Sequence, residues 1–187
     1  MLMAMEHRHA HLAGAPKVYQ ADRFSVHRVD LPRRSGGAKQ REVVLANDAV
    51  VILPLIDATP GREEVVLIRN ERFALGQTLW EVPAGTIEPG EDPDDCAARE
   101  LIEETGYRGE IITPLTQFYP TPGFCTELMH VYRAEGLSFV GQDLDETERI
   151  TAEVVSFEKS MEMVKDGTIR DGKTIATLLY HQTFGRG

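Results

Sequence analysis

Three glutamates between residues 100 and 104 are the side chains in this sequence whose spacing points most clearly to chemistry. Glu100, Glu103 and Glu104 follow an i, i+3, i+4 pattern, which places them within about 100° of one another around an α-helix. Carboxylates so arranged repel one another, and these lie near the negative end of the helix dipole. Hard divalent cations prefer clustered oxygen ligands. The spacing therefore indicates either a divalent-cation site or a solvated acidic face.

The segment around these glutamates is strongly acidic. From Gly85 to Gly106, eight residues are Asp or Glu, and only Arg99 is basic. This segment accounts for most of the formal net charge of −10 in the chain of 187 residues. A phosphate group would be repelled there unless bound cations reversed the local field. The overall charge also argues against nucleic acid or an anionic membrane as the main partner, since neither would find a basic surface.

A helix is predicted over Pro93 to Thr105, and its two ends are marked by residue type. Asp92 is a candidate N-cap, and proline is tolerated in the first turn. Gly106 is expected to end the helix, because glycine readily adopts the left-handed conformation found just past a helix. The face opposite the three glutamates is expected to dock on a sheet through Ala98, Leu101, Ile102 and Thr105.

The same segment resembles the Nudix box, a motif written Gly-x5-Glu-x7-Arg-Glu-U-x-Glu-Glu-x-Gly-U, in which U is a bulky apolar residue. The matching positions are Gly85, Glu91, Arg99, Glu100, Leu101, Glu103, Glu104, Gly106 and Tyr107. Tyr107 is the one departure, because aliphatic residues are usual there. The resemblance implies an α/β (α+β) fold, the Nudix α/β/α sandwich with a mixed sheet. It also implies hydrolysis of a nucleoside diphosphate linked to a further moiety.

The resemblance also implies roles for the residues of the box. Mg²⁺ or Mn²⁺, with two to three ions per site, would be held by Glu100, Glu103, Glu104 and the backbone carbonyl of Ala84. Bound cations would bridge the phosphates and stabilise charge on the leaving oxygen, which makes Glu103 and Glu104 catalytic. Structural roles are implied for the remaining positions, with Arg99 pairing with Glu91 to orient the loop: Gly85, Glu91, Arg99 and Gly106.

Two segments outside the box resemble the ADP-ribose pyrophosphatase group of the family. Pro122 lies 15 residues after Tyr107 in the segment Tyr-Pro-Thr-Pro-Gly-Phe-Cys-Thr-Glu, residues 119–127, which is similar to the Ser-Pro-Gly loop of that group. Before the box, Glu81-Val82-Pro83-Ala84-Gly85 matches the group's Glu-x-Pro-Ala-Gly, and Arg72 its Gln-x-x-Arg, with Asn70 as a departure. The resemblance implies substrate contacts from Arg72, Glu127 and Pro122. An ordinary turn and a surface arginine are the alternatives.

An acidic loop at residues 141–148 precedes a predicted strand at Ile150. In ADP-ribose pyrophosphatases a glutamate on the equivalent loop is the general base, and a second one contacts a metal ion. By position, Glu146 is expected to be the base and Glu148 the metal partner. The reverse assignment and a merely solvated loop stay open. A general base works best with a pKa near neutrality.

The elements that must position these residues alternate along the chain. Ala49 to Ile56 is a continuous apolar run, typical of a strand covered on both faces. A hairpin is predicted over 21–46, and further strands over 65–68, 78–82, 111–119, 128–134 and 150–157. Helices are predicted over 159–165 and after Asp171, where Ile175, Leu178 and Leu179 share one side. The order predicts a mixed sheet with a few helices.

Three regions follow from this reading: a flexible segment (residues 1–16), N-terminal strands (17–46) and a Nudix hydrolase domain (47–187). The resemblance implies a homodimer that exchanges the N-terminal strands, with Phe24 stacked on an adenine base. A position in the core is the alternative for Phe24. With only two cysteines, Cys96 and Cys125, a disulfide scaffold is excluded and a reduced, cytoplasmic protein is expected.

The expected activity is hydrolysis of ADP-ribose, or of a closely related nucleoside diphosphate sugar, to AMP and a sugar phosphate. Another sugar nucleotide, such as GDP-mannose or ADP-glucose, is the alternative with the same chemistry. A sensor that binds ADP-ribose without hydrolysing it is a further alternative from another class. Neither nucleic acid nor a membrane is expected as a partner, and no apolar run approaches the ~20 residues of a membrane helix.

Overall fold

The computed structural model describes residues 9–59 and 61–185, so part of the predicted flexible segment lies outside the described residues. A short 3-10 turn covers Ala10–Leu12. The helices are α1 (Pro93–Thr105), α2 (Phe157–Lys165) and α3 (Gly172–Phe184). The strands are β1 (Lys17–Gln20), β2 (Phe24–Pro32), β3 (Ala38–Ala46), β4 (Ala49–Asp57), β5 (Glu64–Arg72), β6 (Gln77–Glu81), β7 (Ala84–Thr86), β8 (Tyr107–Arg108), β9 (Ile111–Phe118), β10 (Met129–Glu135), β11 (Ser138–Phe139) and β12 (Ile150–Ser156).

Strand β4 is the centre of the main sheet. The strand order is β12-β5-β4-β10-β9, with β6 paired to β5 and β7 paired to β4. Strands β4 and β10 run parallel, whereas their other pairings in this sheet are antiparallel, so the sheet is mixed. The first seven residues of β4 are all buried, as the continuous apolar run predicts for a strand covered on both faces.

Alternate side chains of β4 enter two separate cores. Val51 and Leu53 pack on one face with Phe157 of α2 and Leu178 of α3. Ile52 packs on the other face, where Cys96, Ala97 and Leu101 of α1 complete a second cluster. Helices therefore cover both faces of the sheet. The predicted α/β/α sandwich with a mixed sheet is confirmed.

The N-terminal strands form a small antiparallel sheet of their own, in the order β1-β2-β3. Strands β2 and β3 form the hairpin predicted over 21–46, and β1 lies before it, within the predicted N-terminal strands (17–46). Val44 joins this sheet to the main domain: its N–H donates to the Phe124 carbonyl at 2.7 Å, and its carbonyl accepts from Thr126 N–H at 3.0 Å. Residues 38–42, the far half of β3, are exposed.

Sequence analysis does not predict the short strands β7, β8 and β11, because they form by pairing with segments that are distant in the chain. The segment over residues 83–92 contains two prolines and two glycines, a composition typical of a loop. Its first part nevertheless forms β7, since Ala84 and Thr86 pair with Val51 and Ala49 of β4. Strands β8 and β11 pair only with each other.

Helix α3 begins where Asp171 was expected to cap it, and the Asp171 carboxylate accepts from Thr174 N–H. The expected buried side is corrected, however. Leu178 is fully buried, whereas Leu179 is 44% exposed, because the buried side runs instead through Thr174, Thr177, Leu178 and His181. None of the helices in residues 9–59 and 61–185 is long and apolar enough to cross a bilayer.

Replacing Leu178 by alanine is expected to lower the free energy of unfolding by about 2–5 kcal/mol, because the truncation leaves a cavity between α3 and the sheet. Leu179→Ala is the matched control, and at this half-exposed position the expected change is about 1 kcal/mol or less. Urea denaturation measures both values. Equal losses in the two variants would contradict the orientation of α3.

Candidate active site at the junction of helix α1 and strand β7

The carboxylate of Glu100 lies directly against the backbone of Gly85. A Cβ atom placed on Gly85 would be 1.9 Å from Cδ of Glu100, far inside any permitted contact. Gly85 belongs to β7 and pairs with Val50 of the central strand, so the backbone cannot move away without breaking the sheet. Only a residue without a side chain therefore allows the helix to bring this carboxylate onto the strand.

Glu104 lies one turn further along α1 and is 3% exposed. Its Oε2 accepts a hydrogen bond from the backbone N–H of Ala84 at 2.8 Å. Burial raises the pKa of Glu104 to about 8, and the negative charges of Glu100 and Glu148 act in the same direction. The bond from Ala84 and the charge of Arg72 oppose this shift in pKa. Ionising Glu104 would therefore give the site more negative charge than its surroundings balance.

Arg99 joins the loop of the box to the helix. Its Nε and Nη2 bond the two carboxylate oxygens of Glu91 at 2.9 and 3.1 Å, and they hold the pKa of Glu91 at about 2. The resemblance to the Nudix box implies only the pairing of Arg99 with Glu91. Nη1 also bonds Glu100 and Glu103, each at 2.7 Å. Arg99 therefore partly compensates three carboxylates at once.

The side of α1 that carries the glutamates is more buried than the sequence suggested. Ala98 and Ile102, expected to dock on the sheet, are only partly buried, while Glu100 and Glu104 are buried. The buried positions of the helix are Cys96, Ala97, Glu100, Leu101, Glu104 and Thr105. Two of the three glutamates therefore face protein, between α1 and β7, and the solvated-face alternative is wrong for them.

The oxygen donors of α1 suit a hard divalent cation, although the described residues contain no three His, Cys, Asp or Glu side chains already arranged as a metal cluster. Glu100 and Glu103 bond Arg99, and Glu104 bonds Ala84, so these carboxylates point to protein partners. Burial also raises the pKa of Glu100. Because the buried carboxylates resist ionisation, a nearby cation would stabilise their charged form.

The acidic loop after β11 is bonded to the C-terminal end of α1. Gly106 adopts the left-handed conformation (φ 76°) that sequence analysis expected of the residue ending the helix. Its carbonyl accepts from the N–H groups of Val140 and Gly141 at 2.7 and 3.1 Å. Asp143 N–H donates to the Glu103 carbonyl at 3.2 Å. The last carbonyls of the helix therefore hold the start of this loop in place.

The two candidate glutamates of this loop lie in different surroundings. Glu148 is close enough for its charge to raise the pKa of both Glu100 and Glu104. Glu146 is exposed, and the hydrogen bond found for it comes from Arg149 to its backbone carbonyl. The structure thus brings Glu148, rather than Glu146, to the glutamates of α1.

Arg72, at the end of β5, is held by a fully buried carboxylate. Its Nε and Nη2 bond Oε1 and Oε2 of Glu81 at 2.7 and 2.5 Å. Lys173, near the start of α3, also donates to Glu81 Oε2. Sequence analysis overlooked Lys173, because a lone lysine close to a helix start carries no signal of its own. The charge of Glu104 also helps to raise the pKa of Arg72, so the guanidinium lies within electrostatic range of this glutamate.

The remaining expected substrate contacts lie outside the glutamate cluster. Glu127 is partly buried; burial and the charge of Asp48 raise its pKa, while Lys173 lowers it. Pro122 is exposed, in the loop that packs on β3. Phe24 is 39% exposed, and its ring lies 6.2 Å from that of Tyr19. Phe24 is thus not a core residue of this chain.

Comparison with known proteins agrees with this geometry. The family model for the NUDIX domain matches residues 46–178, which include the box and all three helices apart from the end of α3. The chain belongs to the Nudix hydrolase superfamily.

Within that superfamily the chain resembles ADP-ribose pyrophosphatases. It is 37% identical over 156 residues to the ADP-ribose pyrophosphatase of Bacillus subtilis (strain 168), covering 82% of this chain and 81% of that protein. It is 35% identical over 181 residues to the GDP-mannose pyrophosphatase of Escherichia coli (strain SMS-3-5 / SECEC), covering 89% and 92%. A solved structure of an ADP compounds hydrolase has the same fold, with a TM-score of 0.80 at 24% identity and coverage of 93% and 94%.

In the protein freed of divalent cations with EDTA, stability is expected to fall as the pH rises from about 5 to 8. Glu104 has a pKa of about 8 when folded, against an ordinary value of 4.5, so the folded state binds more protons across this range. One such group changes the free energy of unfolding by up to about 1.4 kcal/mol per pH unit. Urea denaturation at several pH values measures the slope.

Glu104→Gln is expected to make that slope shallower. Glu91→Gln is the matched control: the pKa of Glu91 is about 2, so its contribution is lost only in acid, below this range, and the slope between pH 5 and 8 stays as in the parent. An unchanged slope in Glu104→Gln would contradict the burial of this carboxyl.

Proposed function

We propose that the chain hydrolyses the diphosphate bond of ADP-ribose, or of a closely related nucleoside diphosphate sugar, to give AMP and a sugar phosphate. The observation that carries this proposal is the junction of α1 and β7. Buried carboxylates with raised pKa values, Glu100 and Glu104, lie there, and the charge of Glu104 acts on Arg72. An acidic cluster within electrostatic range of a fixed guanidinium suits a substrate whose phosphates contact both cations and an arginine.

We propose Mg²⁺ or Mn²⁺ as the cofactor, with two to three ions per site. Glu100, Glu103, Glu104, the carbonyl of Ala84 and Glu148 are the proposed ligands. Such cations, when bound, supply charge neutralisation at the diphosphate and stabilise the leaving oxygen. The chain itself supplies the ligands, fixes them through Gly85 and Ala84 N–H, and holds them between helix and sheet.

Arg72, Glu127 and Pro122 are the proposed contacts to the substrate. Arg72 is half-exposed and already oriented by Glu81, which favours a directed bond to a phosphate oxygen. Glu127 is within electrostatic reach of Lys173, whose Nζ bonds the same Glu81. Arg72 and Glu127 thus both lie near the ion pair of Glu81 and Lys173. We therefore propose that the diphosphate binds between these two residues and the glutamates of α1.

A homodimer joined through the N-terminal sheet is a further part of the proposal, with Phe24 stacking on the adenine. Residues 17–46 contain seven Lys or Arg against three acids, within a chain of net charge −10. Exposed apolar side chains on this sheet include Val18, Tyr19 and Leu31. A basic sheet with apolar patches complements an acidic partner of the same sequence. Both cysteines are free thiols, which fits the reducing cytoplasm.

Two alternatives differ from this proposal in substrate or in outcome. A relative named for GDP-mannose favours keeping another sugar nucleotide, such as GDP-mannose or ADP-glucose, as the second candidate substrate. A sensor that binds ADP-ribose without hydrolysis would need no activated water and no cation-stabilised leaving group. Substrate identity and turnover therefore separate the three possibilities.

Hydrolysis assays of the full chain with ADP-ribose, ADP-glucose, GDP-mannose, NADH and diadenosine polyphosphates test the proposal, with alkaline phosphatase added to release phosphate from the phosphomonoester products. ADP-ribose is expected to be cleaved fastest, and only with Mg²⁺ or Mn²⁺. Glu104→Gln is expected to lower kcat by about 100-fold or more, the scale of losing one key catalytic group. Its circular dichroism spectrum should match that of the parent, which shows that the fold is intact. Glu88→Gln, an exposed glutamate outside the fixed positions of the box, is the matched control and should retain full activity.

Faster cleavage of another sugar nucleotide would show that this nucleotide, rather than ADP-ribose, is the preferred substrate. The proposed hydrolysis of a diphosphate bond would stand. Saturable binding of ADP-ribose without cleavage would favour the sensor. Full activity in Glu104→Gln would refute the assignment of the metal ligands.

The loop glutamates can be assigned by separate variants. We propose Glu146 as the general base and Glu148 as a metal partner. Glu146→Gln is then expected to lower kcat by about 10²–10⁴-fold with an unchanged Mg²⁺ requirement. Glu148→Gln is expected to raise the Mg²⁺ concentration for half-maximal rate, since Glu148 is the one close to Glu100 and Glu104. Mg²⁺ titrations of initial rate measure both effects, and exchanged results would reverse the two roles.

A further inference from the structure

We propose that Glu81 and Lys173 are positioning residues, which hold the guanidinium of Arg72 in the orientation that binds a substrate phosphate. The proposal rests on the proposed function, because it takes a diphosphate as the ligand of Arg72. In this proposal, neither Glu81 nor Lys173 contacts the substrate. Both act by orienting Arg72.

The contacts of Glu81 fix the plane of the guanidinium. Glu81 is 0% exposed and lies at the end of β6. Arg72 binds both of its carboxylate oxygens, through Nε and Nη2, in the paired geometry that gives an arginine–carboxylate contact its directionality. Lys173 binds Oε2 as well. With two cations on one buried carboxylate, its plane is fixed, and so is the plane of Arg72.

Lys173 is itself held in a rigid place. Its side chain is only 8% exposed and also bonds Oδ2 of Asp171 at 3.0 Å. Asp171 caps α3 through Thr174 N–H at 2.9 Å and accepts from the Thr174 hydroxyl at 2.6 Å. That hydroxyl accepts in turn from Val82 N–H at 2.9 Å. The start of α3 is thereby joined to the chain immediately after β6, and the ammonium group cannot drift from Glu81.

The charges explain why a lysine is needed there. Arg72 paired with Glu81 alone is a neutral unit and attracts an anion weakly. Adding Lys173 gives the three residues a net charge of +1. The charge of Asp171, which also bonds Lys173, is partly offset by the positive N-terminal end of α3, equivalent to about half a unit of charge. Lys173 therefore leaves Arg72 with positive charge to offer a phosphate, although Arg72 already contacts a carboxylate.

Arg72 keeps part of its guanidinium exposed. The side chain is 41% exposed. Within the part of the chain that the structure describes, its hydrogen bonds use Nε and Nη2, and Nη1 makes none. The charge of Glu104 acts on Arg72, so this guanidinium is within electrostatic range of a glutamate proposed to hold the cations. Nη1 is the nitrogen that could bond a phosphate oxygen.

A purely structural role for the same ion pairs is the competing interpretation, since buried ion pairs stabilise some folds and not others. The two interpretations differ in whether Lys173 acts through Arg72. A double-mutant cycle between Lys173→Met and Arg72→Gln separates them, with α,β-methylene ADP as a diphosphate that cannot be cleaved between its phosphates. Calorimetry in Mg²⁺ gives its Kd, and ADP-ribose hydrolysis gives KM and kcat.

Lys173→Met is expected to raise the Kd of α,β-methylene ADP and the KM of ADP-ribose about tenfold, the scale of one weakened charge-assisted hydrogen bond. The kcat should stay within about threefold, because the cation ligands are untouched. In the Arg72→Gln background the same substitution should produce no further rise. Lys173→Arg, which keeps the charge, should restore most of the affinity. Lys159→Met removes a lysine from an exposed pair on α2 and should change neither constant.

An unchanged Kd in Lys173→Met, or an equal rise with and without Arg72, would overturn the proposal. If Lys173→Met does not fold, as judged by circular dichroism, the cycle is made with Glu81→Gln, and the same two outcomes decide. A parent protein that binds α,β-methylene ADP but cleaves nothing would refute the proposed hydrolysis, and the binding cycle would still judge the positioning role. A parent that does not bind the diphosphate at all overturns both.

Discussion

Removing two carboxylates from water at one crossing of a helix and a strand is the constraint on which the rest of this structure depends. An ionised carboxylate in such a place is costly unless it is paired or hydrogen-bonded. Gly85 makes room for Glu100, the N–H of Ala84 bonds Glu104, and Arg99 binds Glu100 from the solvent side. These compensations are incomplete, as the raised pKa of Glu104 shows. The two carboxyls therefore ionise fully only when a further positive charge, such as a bound cation, balances them.

The strands and helices around this crossing each position a different part of the site. The central strand pairs with β7 and so fixes the backbone that meets Glu100 and Glu104. Helix α1 packs on the same face through apolar residues, which sets its distance from the sheet. The C-terminal end of α1 then holds the start of the acidic loop, and α3, on the opposite face, brings Lys173 to Glu81. Each layer of the sandwich contributes one part of the site.

Sequence reasoning was most accurate where local chemistry decides the structure. The bounds of α1 follow from an Asp cap, a proline in the first turn and a glycine at the end, all within one segment. The burial of β4 follows from its unbroken apolar run. Eight matching residues of the box, seven of them at positions fixed by residue type, were sufficient to identify the family.

The features that sequence reasoning missed depend on distant partners. Strand β7 exists because β4 offers it a pairing edge, although its own residues favour a loop. The burial of Glu100 and Glu104 depends on where β7 lies, so helical periodicity alone could not separate a docked face from a solvated one. The link between Glu81 and Lys173 joins residues 92 positions apart in the chain, and no local pattern encodes it.

The contact between Gly85 and Glu100 makes these two positions interdependent in evolution. A side chain at 85 occupies the volume of the carboxylate, so Glu100 has to leave before any other residue can enter there. Conversely, a shorter residue at 100 leaves a gap over the strand that glycine cannot fill. A lineage that changed either position alone would pass through a protein with a crowded or an emptied junction. The combination of glycine at 85 and glutamate at 100 is therefore maintained by steric exclusion as well as by any requirement of catalysis.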